Sequence, residues 1–310
     1  MPTKPHFFAS HHFDRMAHRR DQDTWLEQRR SSGNCWFLPV AGSNNLVVKG
    51  PPPAAALLTL EQVSKKLSCT QIYLGEYKEK SCFALLTEHE HDSNWPDTEY
   101  QQVLRVATLI DIAEASLLAY ARGMSIWHRN HRHCGRCGAS TVSSRAGHVL
   151  TCSDADCSWQ QFPRVDPAII VLVSDGERCL LGRQESWDQG RYSTIAGFVE
   201  PGESLEDAVI REVYEETGIV ARSPVYHSSQ PWPFPSSLML GFQASAASSD
   251  IQLHDGELEH ADWFSPEDLA SGKPIRLAPS VSISRQLINH WYYQQTGRDL
   301  DTSGTPPKAW

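Results

Sequence analysis

Nowhere in the 310 residues does an uninterrupted apolar run approach 18 residues, the length at which a helix can cross a bilayer. A transmembrane helix and a membrane partner are therefore not expected. The opening stretch MPTKPHFFASHHFDRMAHRR holds no apolar core and no small-residue cleavage site, so it does not read as a secretory signal. The closing PKAW carries neither a prenylation box nor a peroxisomal tripeptide. Cytoplasm is the expected location. Basic excess is also missing. A formal charge of -9 argues against bulk, sequence-independent binding to nucleic acid, which wants a cationic footprint, although it leaves room for a local basic patch. Internal repeats and low-complexity tracts are absent. With 40% apolar and 21% charged residues, the chain reads as a soluble globular protein of two or three domains.

Cysteine is present and unevenly placed. Cys35, Cys69, Cys82 and Cys179 are scattered and read as small buried hydrophobes. Cys134, Cys137, Cys152 and Cys157 form C-x2-C-x14-C-x4-C. In a cytosolic chain such clustering points to a metal rather than to disulfides. Four thiolates suit one tetrahedral Zn2+. With every position filled by protein, that zinc is structural, worth about 10–16 kcal/mol of apparent folding free energy. The second pair is looser than the usual two-residue gap. Beside the cluster, RGMSIWHRNHRHCGR is rich in Arg and His. It reads either as a solvated helix end with cations at its negative pole or as a patch that contacts phosphate or RNA.

Residues 1–30 are polar and charged and read as a peripheral or poorly ordered arm. The apolar runs CWFLPV, NLVV, QIYLGEY and SCFALLTE, with turn material between them, predict a small sheet-rich domain with a helix near LTLEQVSKKL. From Tyr100 to about Trp127 apolar residues recur at three and four, which predicts a helix. Beyond the cysteines, DPAIIVLVS and CLLGRQ read as strands and SLEDAVIREVYEETG as a helix begun by Ser204 and ended by Gly218. LMLGFQASA and the segment before ADWFSPEDL continue the sheet. RQLINHWYYQQ reads as a terminal helix and GRDLDTSGTPPKAW as a loose tail.

Chemistry concentrates in GFVEPGESLEDAVIREVYEETGI, residues 197–219. At about 100° per residue, Glu212, Glu215 and Glu216 share one helical face. Like charges so close repel, and a hard divalent cation with oxygen ligands offsets that repulsion. Arg211 can pair with one carboxylate and orient it. Gly197 and Gly202 allow a tight loop that brings Glu203 near the start of the helix. A merely solvated acidic face would account for the glutamates but not for these glycines and Arg211 at these spacings. A second unusual stretch is SQPWPFPSSLM, residues 229–239. Its prolines exclude regular helix from Pro231 to Pro235 and set Trp232 and Phe234 on a stiff, nearly extended rail.

The glutamate stretch resembles the Nudix box, G-x5-E-x7-R-E-U-x-E-E-x-G-U, at Gly197, Glu203, Arg211, Glu212, Val213, Glu215, Glu216, Gly218 and Ile219. Within Nudix proteins, S-Q-P-W-P-F-P-x-S marks the NADH pyrophosphatase family, and Ser229 to Pro235 with Ser237 fit it without departure. A four-cysteine ribbon before the Nudix domain, behind a divergent N-terminal domain, is similar to that family too. The four-residue gap between Cys152 and Cys157 is the one departure. The resemblance covers residues 100–290 well and the first hundred poorly.

It implies an α+β fold: a Nudix α/β/α sandwich with a mixed sheet over 164–296, a zinc ribbon over 126–163, a smaller sheet-rich N-terminal domain over 1–125 and a tail over 297–310. It also implies metal-dependent hydrolysis of NADH or NAD+ to NMN(H) and AMP, by a homodimer. Mg2+ or Mn2+ would be held by Glu212 and Glu216, by the main-chain carbonyl of Ala196 and by one later carboxylate, for which Glu257 is chosen over Glu259. Glu215 is either a further ligand or the base. Phe162 and Phe198 are candidate stacking rings for the dinucleotide. Gln230, Pro231, Trp232, Pro233, Phe234, Pro235, Ser236 and Ser237 would wall the nucleotide pocket, Trp232 by stacking or as structure. Two alternatives stand beside this reading. One is removal of an NAD cap from RNA 5′ ends by the same chemistry. The other is a non-catalytic zinc-ribbon regulator on a Nudix scaffold, against which the intact box argues.

Overall fold

A computed structural model of the protein describes residues 5–9, 13–90, 95–254, 256–271 and 275–300. The tail expected over 297–310 falls, from residue 301 on, outside them. The chain divides into two compact units. One comprises residues 7–165 with 233–236. The other comprises residues 166–232 and 237–300 with the segment at His6. Among the described residues, no helix is long and apolar enough to cross a membrane.

The first unit is built on a six-stranded sheet. Helix α1 (Asp23–Ser31) precedes β1 (Cys35–Ala41), β2 (Asn44–Val48) and β3 (Ala54–Ala55). Helix α2 (Leu60–Val63) leads to the hairpin of β4 (Thr70–Tyr77) and β5 (Lys80–Thr87), then to β6 (Thr98–Gln101). The spatial order is β3-β2-β1-β5-β4, with β6 on β2. The apolar runs pack their alternate residues into one core, including Phe37, Tyr73, Phe83 and Leu85. The first thirty residues are less peripheral than their composition predicts. Phe8, Phe13 and Leu26 are buried, and Leu26 joins that core. Three apolar side chains at wide spacing anchor a segment whose average is polar.

The long helix also begins later than periodicity predicts. Residues 98–101 pair with β2 as β6, and a single turn, α3 (Val103–Val106), follows. Helix α4 then spans Ile112–Asn130. Asp111 sets the start by accepting from the N–H groups of Ala113 and Glu114, an N-cap that competes against extension toward Tyr100. The ribbon follows as three short antiparallel strands, β7 (Thr141–Ser144), β8 (Val149–Cys152) and β9 (Gln160–Gln161). It is fastened within this unit by two histidines, of which His148 is buried. His128 meets the Gly147 carbonyl at 2.8 Å and His148 the Tyr73 carbonyl at 2.7 Å. Burial holds the His148 imidazole down at about 4, so it stays neutral at ordinary pH.

The second unit is a mixed sheet between helices. Its strands are β10 (Asp166–Ser174), β11 (Cys179–Arg183), β13 (Ile195–Phe198), β14 (Ala221–Trp232), β15 (Ser237–Ala246) and β16 (His260–Phe264), with the small parallel pair β12 (Arg191–Tyr192) and β17 (Arg276–Leu277) beside it. The order is β14-β15-β10-β11-β16, with β13 on β10. Only β10–β15 runs parallel within this sheet's named pairs. The continuous run on β10 is explained by cover on both faces. Ile169, Val171 and Val173 point to helix α5 (Leu205–Thr217), against Ala208, Val209 and Val213. Ile170 and Leu172 point to helix α7 (Ile283–Thr296), against Leu287, Ile288 and Trp291. Short α6 (Pro266–Ala270) completes the set.

The proline-rich stretch is a hairpin and not an extended rail. Strand β14 runs through Pro231 to Trp232, and β15 begins at Ser237, the residue paired with Trp232. Gln230, expected in a pocket wall, is fully buried. Its Nε2 donates to the Val281 carbonyl at 2.7 Å, and its Oε1 accepts from Ile283 N–H at 2.8 Å. The amide thus ties the start of α7 to the sheet. Leu in place of Gln230 would strand that donor and acceptor, each costing about 1–3 kcal/mol. Gln230→Leu is expected to lower the free energy of unfolding by about 2–4 kcal/mol, read from urea denaturation. A loss below 0.5 kcal/mol would count against this role for the amide.

Candidate active site and metal centre

Helix α5 begins where Ser204 accepts from Asp207 N–H at 3.1 Å and ends where Gly218 N–H reaches the Tyr214 carbonyl. Between these ends, Arg211 organises the acidic face. Its Nε and Nη2 hold both oxygens of Glu203 at 2.7 and 2.9 Å. Its Nη1 lies 2.9 Å from Glu212 and 2.9 Å from Glu215. Nη2 also donates to the Phe198 carbonyl at 2.9 Å. One guanidinium therefore ties the loop, β13 and the helix together, a fork geometry that lysine lacks. It serves three carboxylates, where the sequence suggested one.

Gly197 has a different task from the turn expected of it. It lies inside β13, and a Cβ there would collide with the carboxyl group of Glu212. Only glycine lets that carboxylate lie against the strand. Gly202, at φ +91°, supplies the turn.

The glutamates are not equivalent. Glu215 is half exposed, and its bond goes to Arg211. Glu212 is largely buried. Burial pushes its carboxyl up, Arg211 pulls it back, and the charges of Glu215 and Glu257 add to the upward push. Glu257 is exposed on the loop before β16, where its neighbour Leu258 is buried in the α5-side core. The loop thus brings Glu257 within electrostatic reach of Glu212, while Glu259 is ion-paired with Arg183. Glu216 is buried at 4% exposure and lines a cavity of about 250 Å3 together with Ala196 and Trp232. Partly buried carboxylates of this kind fit a hard divalent cation.

The aromatic and proline candidates separate. Trp232 belongs to the cavity wall beside Glu216. Pro231 and Ser237 are half-buried members of the paired strands. Pro233, Phe234, Pro235 and Ser236 form the hairpin tip and cluster with the first unit. There Phe234 meets the Phe8 ring edge-on at 5.5 Å, and the Arg122 guanidinium lies 4.5 Å from its centroid. Phe162 and Phe198 are each 59% exposed; neither is a core ring. Trp187 and Arg191, which the sequence reading did not single out, also line the Glu216 cavity. No spacing signal marks them, because only the fold brings them to that wall.

The cysteine cluster is the one group of three or more metal-ligating side chains, among the described residues, whose donor atoms all lie within 4.8 Å of one another. Cys134 Sγ is 3.8 Å from Cys157 Sγ, and Cys137 Sγ is 3.4 Å from Cys152 Sγ. A tetrahedron with Zn–S near 2.3 Å has edges of about 3.8 Å, so the donor set fits zinc. The loose second pair closes through Asp154. Its carbonyl accepts from Cys157 and Ser158 N–H, and its Oδ1 accepts from Asp156 N–H. That turn reels Cys157 back over the extra residues. Burial opposes ionisation of Cys134, but N–H groups of Arg136 and Cys137 bring its thiol down to about 7. The basic run beside it is exposed at Arg129, Arg132 and Arg136.

Comparison with known proteins follows the same division. The profile of the NUDIX domain matches residues 163–287, and that of the NADH pyrophosphatase-like rudimentary NUDIX domain matches residues 34–127. The chain is 39% identical over 225 residues to the NAD-capped RNA hydrolase NudC of Stutzerimonas stutzeri, covering 73% of this chain and 78% of that protein. It is 42% identical over 192 residues to the NAD-capped RNA hydrolase NUDT12 of Homo sapiens, covering 57% of this chain. The match spans 42% of the length of that relative. Among solved structures, a NUDIX hydrolase from Nitrosomonas europaea aligns over 54% of this chain and 94% of its own, with 17% identity and a TM-score of 0.45.

Two measurements follow from this geometry. The Arg211 fork holds Glu203 below its ordinary carboxylate value. Its contribution to stability is therefore complete above the unfolded value of about 4.3 and is lost as pH falls through the lower folded value. The stability gap between wild type and Glu203→Gln is expected to be constant from pH 7 to 5 and to narrow toward pH 3, read by chemical denaturation. A gap independent of pH would remove the ion pair as its cause. For the ribbon, elemental analysis is expected to find one zinc per chain, and Cys152→Ser or a strong chelator to lower the unfolding midpoint together with zinc content. Protein free of zinc and indifferent to chelator would overturn the metal assignment.

Proposed function

The chain belongs to the Nudix family, and from that premise we propose that it is a metal-dependent hydrolase of the pyrophosphate bond in NADH or NAD+, releasing NMN(H) and AMP. The observation that carries this reading is the complete Nudix box assembled in space, with Arg211 organising three glutamates and Glu216 set in the wall of a cavity beside Ala196 and Trp232.

Glu212, Glu216 and Glu257, with the carbonyl of Ala196, would hold Mg2+ or Mn2+. When bound, such an ion neutralises the pyrophosphate and lowers the pKa of a coordinated water. The protein's own part is orientation. Arg211 holds Glu212 against Gly197 and ties Glu203 over the start of α5. Because burial raises Glu212, its charged form is stabilised by a cation more than an exposed carboxylate would be. Glu215, exposed and bonded to Arg211, can accept a proton without leaving the helix face. Trp232 offers the cavity a wide apolar surface, and its pairing with Ser237 across the hairpin fixes its backbone, so less ordering is left for binding. The ribbon zinc would be structural, held by four cysteines with no open position.

A second reading has its own support. Relatives of this chain are named NAD-capped RNA hydrolases, and the same bond cleavage applied to an RNA 5′ end would use the same residues. The exposed arginines at 129, 132 and 136 offer a phosphate-contacting patch. We also propose that the protein works as a cytoplasmic homodimer.

The test is product analysis after incubation with NADH and Mn2+, beside Glu216→Gln. NMNH and AMP are expected from wild type, with the variant slower by about 100-fold or more. NAD-capped RNA is tested at several salt concentrations, since RNA contacts weaken steeply with salt. No turnover of either substrate by zinc-loaded protein would sink the hydrolase reading.

A further inference from the structure

Glu257 stands on a loop, and what fixes that loop lies on the neighbouring strand. Arg183 ends β11 and pairs with His260, the first residue of β16. Its carbonyl accepts from Glu259 N–H at 2.9 Å. Its guanidinium reaches the same residue a second time, since Nη1 is ion-paired with Glu259 Oε2. Nη2 donates to the Trp187 carbonyl at 3.1 Å. The Arg183 side chain is 12% exposed, against 45% for Glu259. One position earlier, Gly182 leaves room for Leu258: a Cβ there would stand 2.7 Å from Leu258 Cδ1. Gly182, Leu258 and Trp187 all line the Glu216 cavity. Residues 182 and 183 therefore grip residues 258 and 259, one by close packing and one by charge.

That grip ends one residue short of Glu257. A carboxylate on an exposed loop has many orientations to lose when a cation binds, and anchoring its neighbours removes part of that loss beforehand. A guanidinium suits the task. Its planar fork meets a carboxylate and a carbonyl in fixed directions at once, which the compact ammonium of lysine does not. We propose that Arg183 is a positioning residue for the divalent metal, acting through Glu259 to hold the loop that presents Glu257 and through the Trp187 carbonyl to tie that loop to the cavity wall. Glu259 is then a tether and not a ligand. The charge of Glu257 already acts on Glu212, so a loop held in this place keeps the two carboxylates within reach of one ion. The inference rests on the hydrolase reading for the place of Glu257 on the metal.

The experiment measures Mn2+ binding without substrate, on full-length, zinc-loaded protein, from the loss of the free-ion EPR signal. Wild type is compared with Glu257→Gln, Arg183→Gln, Arg183→Lys, Glu259→Gln and the double variant Arg183→Gln with Glu259→Gln. Groups that orient a metal ligand are worth about 10- to 100-fold in metal affinity. Arg183→Gln and Glu259→Gln are each expected to weaken Mn2+ by that factor, and Arg183→Lys by less. The double variant is expected to lose no more than either single one, because the pair acts as a unit. NADH turnover is expected to need correspondingly more Mn2+, with kcat at saturating metal close to wild type, a split that a simple loss of folded protein does not produce. Glu259 is half exposed, so Glu259→Gln carries the test should Arg183→Gln fail to fold. Unchanged Mn2+ affinity in either folded variant overturns the proposal, as do losses that add in the double variant. Wild type that binds Mn2+ through Glu257 and Arg183 yet hydrolyses nothing would refute the hydrolase reading alone. Turnover whose metal requirement is indifferent to Arg183 and Glu259 would refute this inference alone.

Discussion

Arg211 is the residue on which the acidic site depends. Its guanidinium lies within 2.9 Å of Glu203, Glu212, Glu215 and the carbonyl of Phe198. Three carboxylates crowded around one point would drive each other apart or pick up protons. A fixed, planar cation with five donors offsets that repulsion and holds them in register. The partners it joins come from a strand, a loop and a helix, so the ion pairs also determine how these elements meet.

That junction explains the neighbouring residues. Glu212 can lie flat on β13 because position 197 has no side chain. Glu216, one turn along, faces a cavity instead of the arginine cluster. Val209 and Val213, turned away from Arg211 on the same helix, are buried against Val171 and Ile169 of β10. A single helix thus packs a core with one face and arranges charge with the other. Below it, Gln230 ties the sheet to α7, so the hairpin that carries Trp232 cannot drift from the helix behind it.

The ribbon works on another physical basis. Its strands are short, and its three-stranded sheet is too small to bury a core of its own. Four cysteine sulfurs within 4.8 Å of one another replace that core, and His128 and His148 fasten the module within the first unit.

Much of this was legible in the amino-acid order. Local spacing decides which groups share a helix face, so the clustering of Glu212, Glu215 and Glu216 could be read directly. The cysteine pairs and the sandwich strands were legible too, since they depend on spacing and on two-sided burial along one segment. The first thirty residues misled because three anchoring side chains are lost in a polar average, and the start of α4 shifted because a cap and a strand pairing outweighed periodicity. Gln230 changed from pocket wall to internal tie for a tertiary reason: its partners, Val281 and Ile283, lie some fifty residues away in the chain. Trp187 and Arg191 were invisible for the same reason, since only the fold brings them to the wall of the Glu216 cavity. The sequence by itself determined the ligand types and their local spacing. Tertiary structure alone decided which charges meet and which are buried, because those depend on contacts between segments that no local pattern encodes.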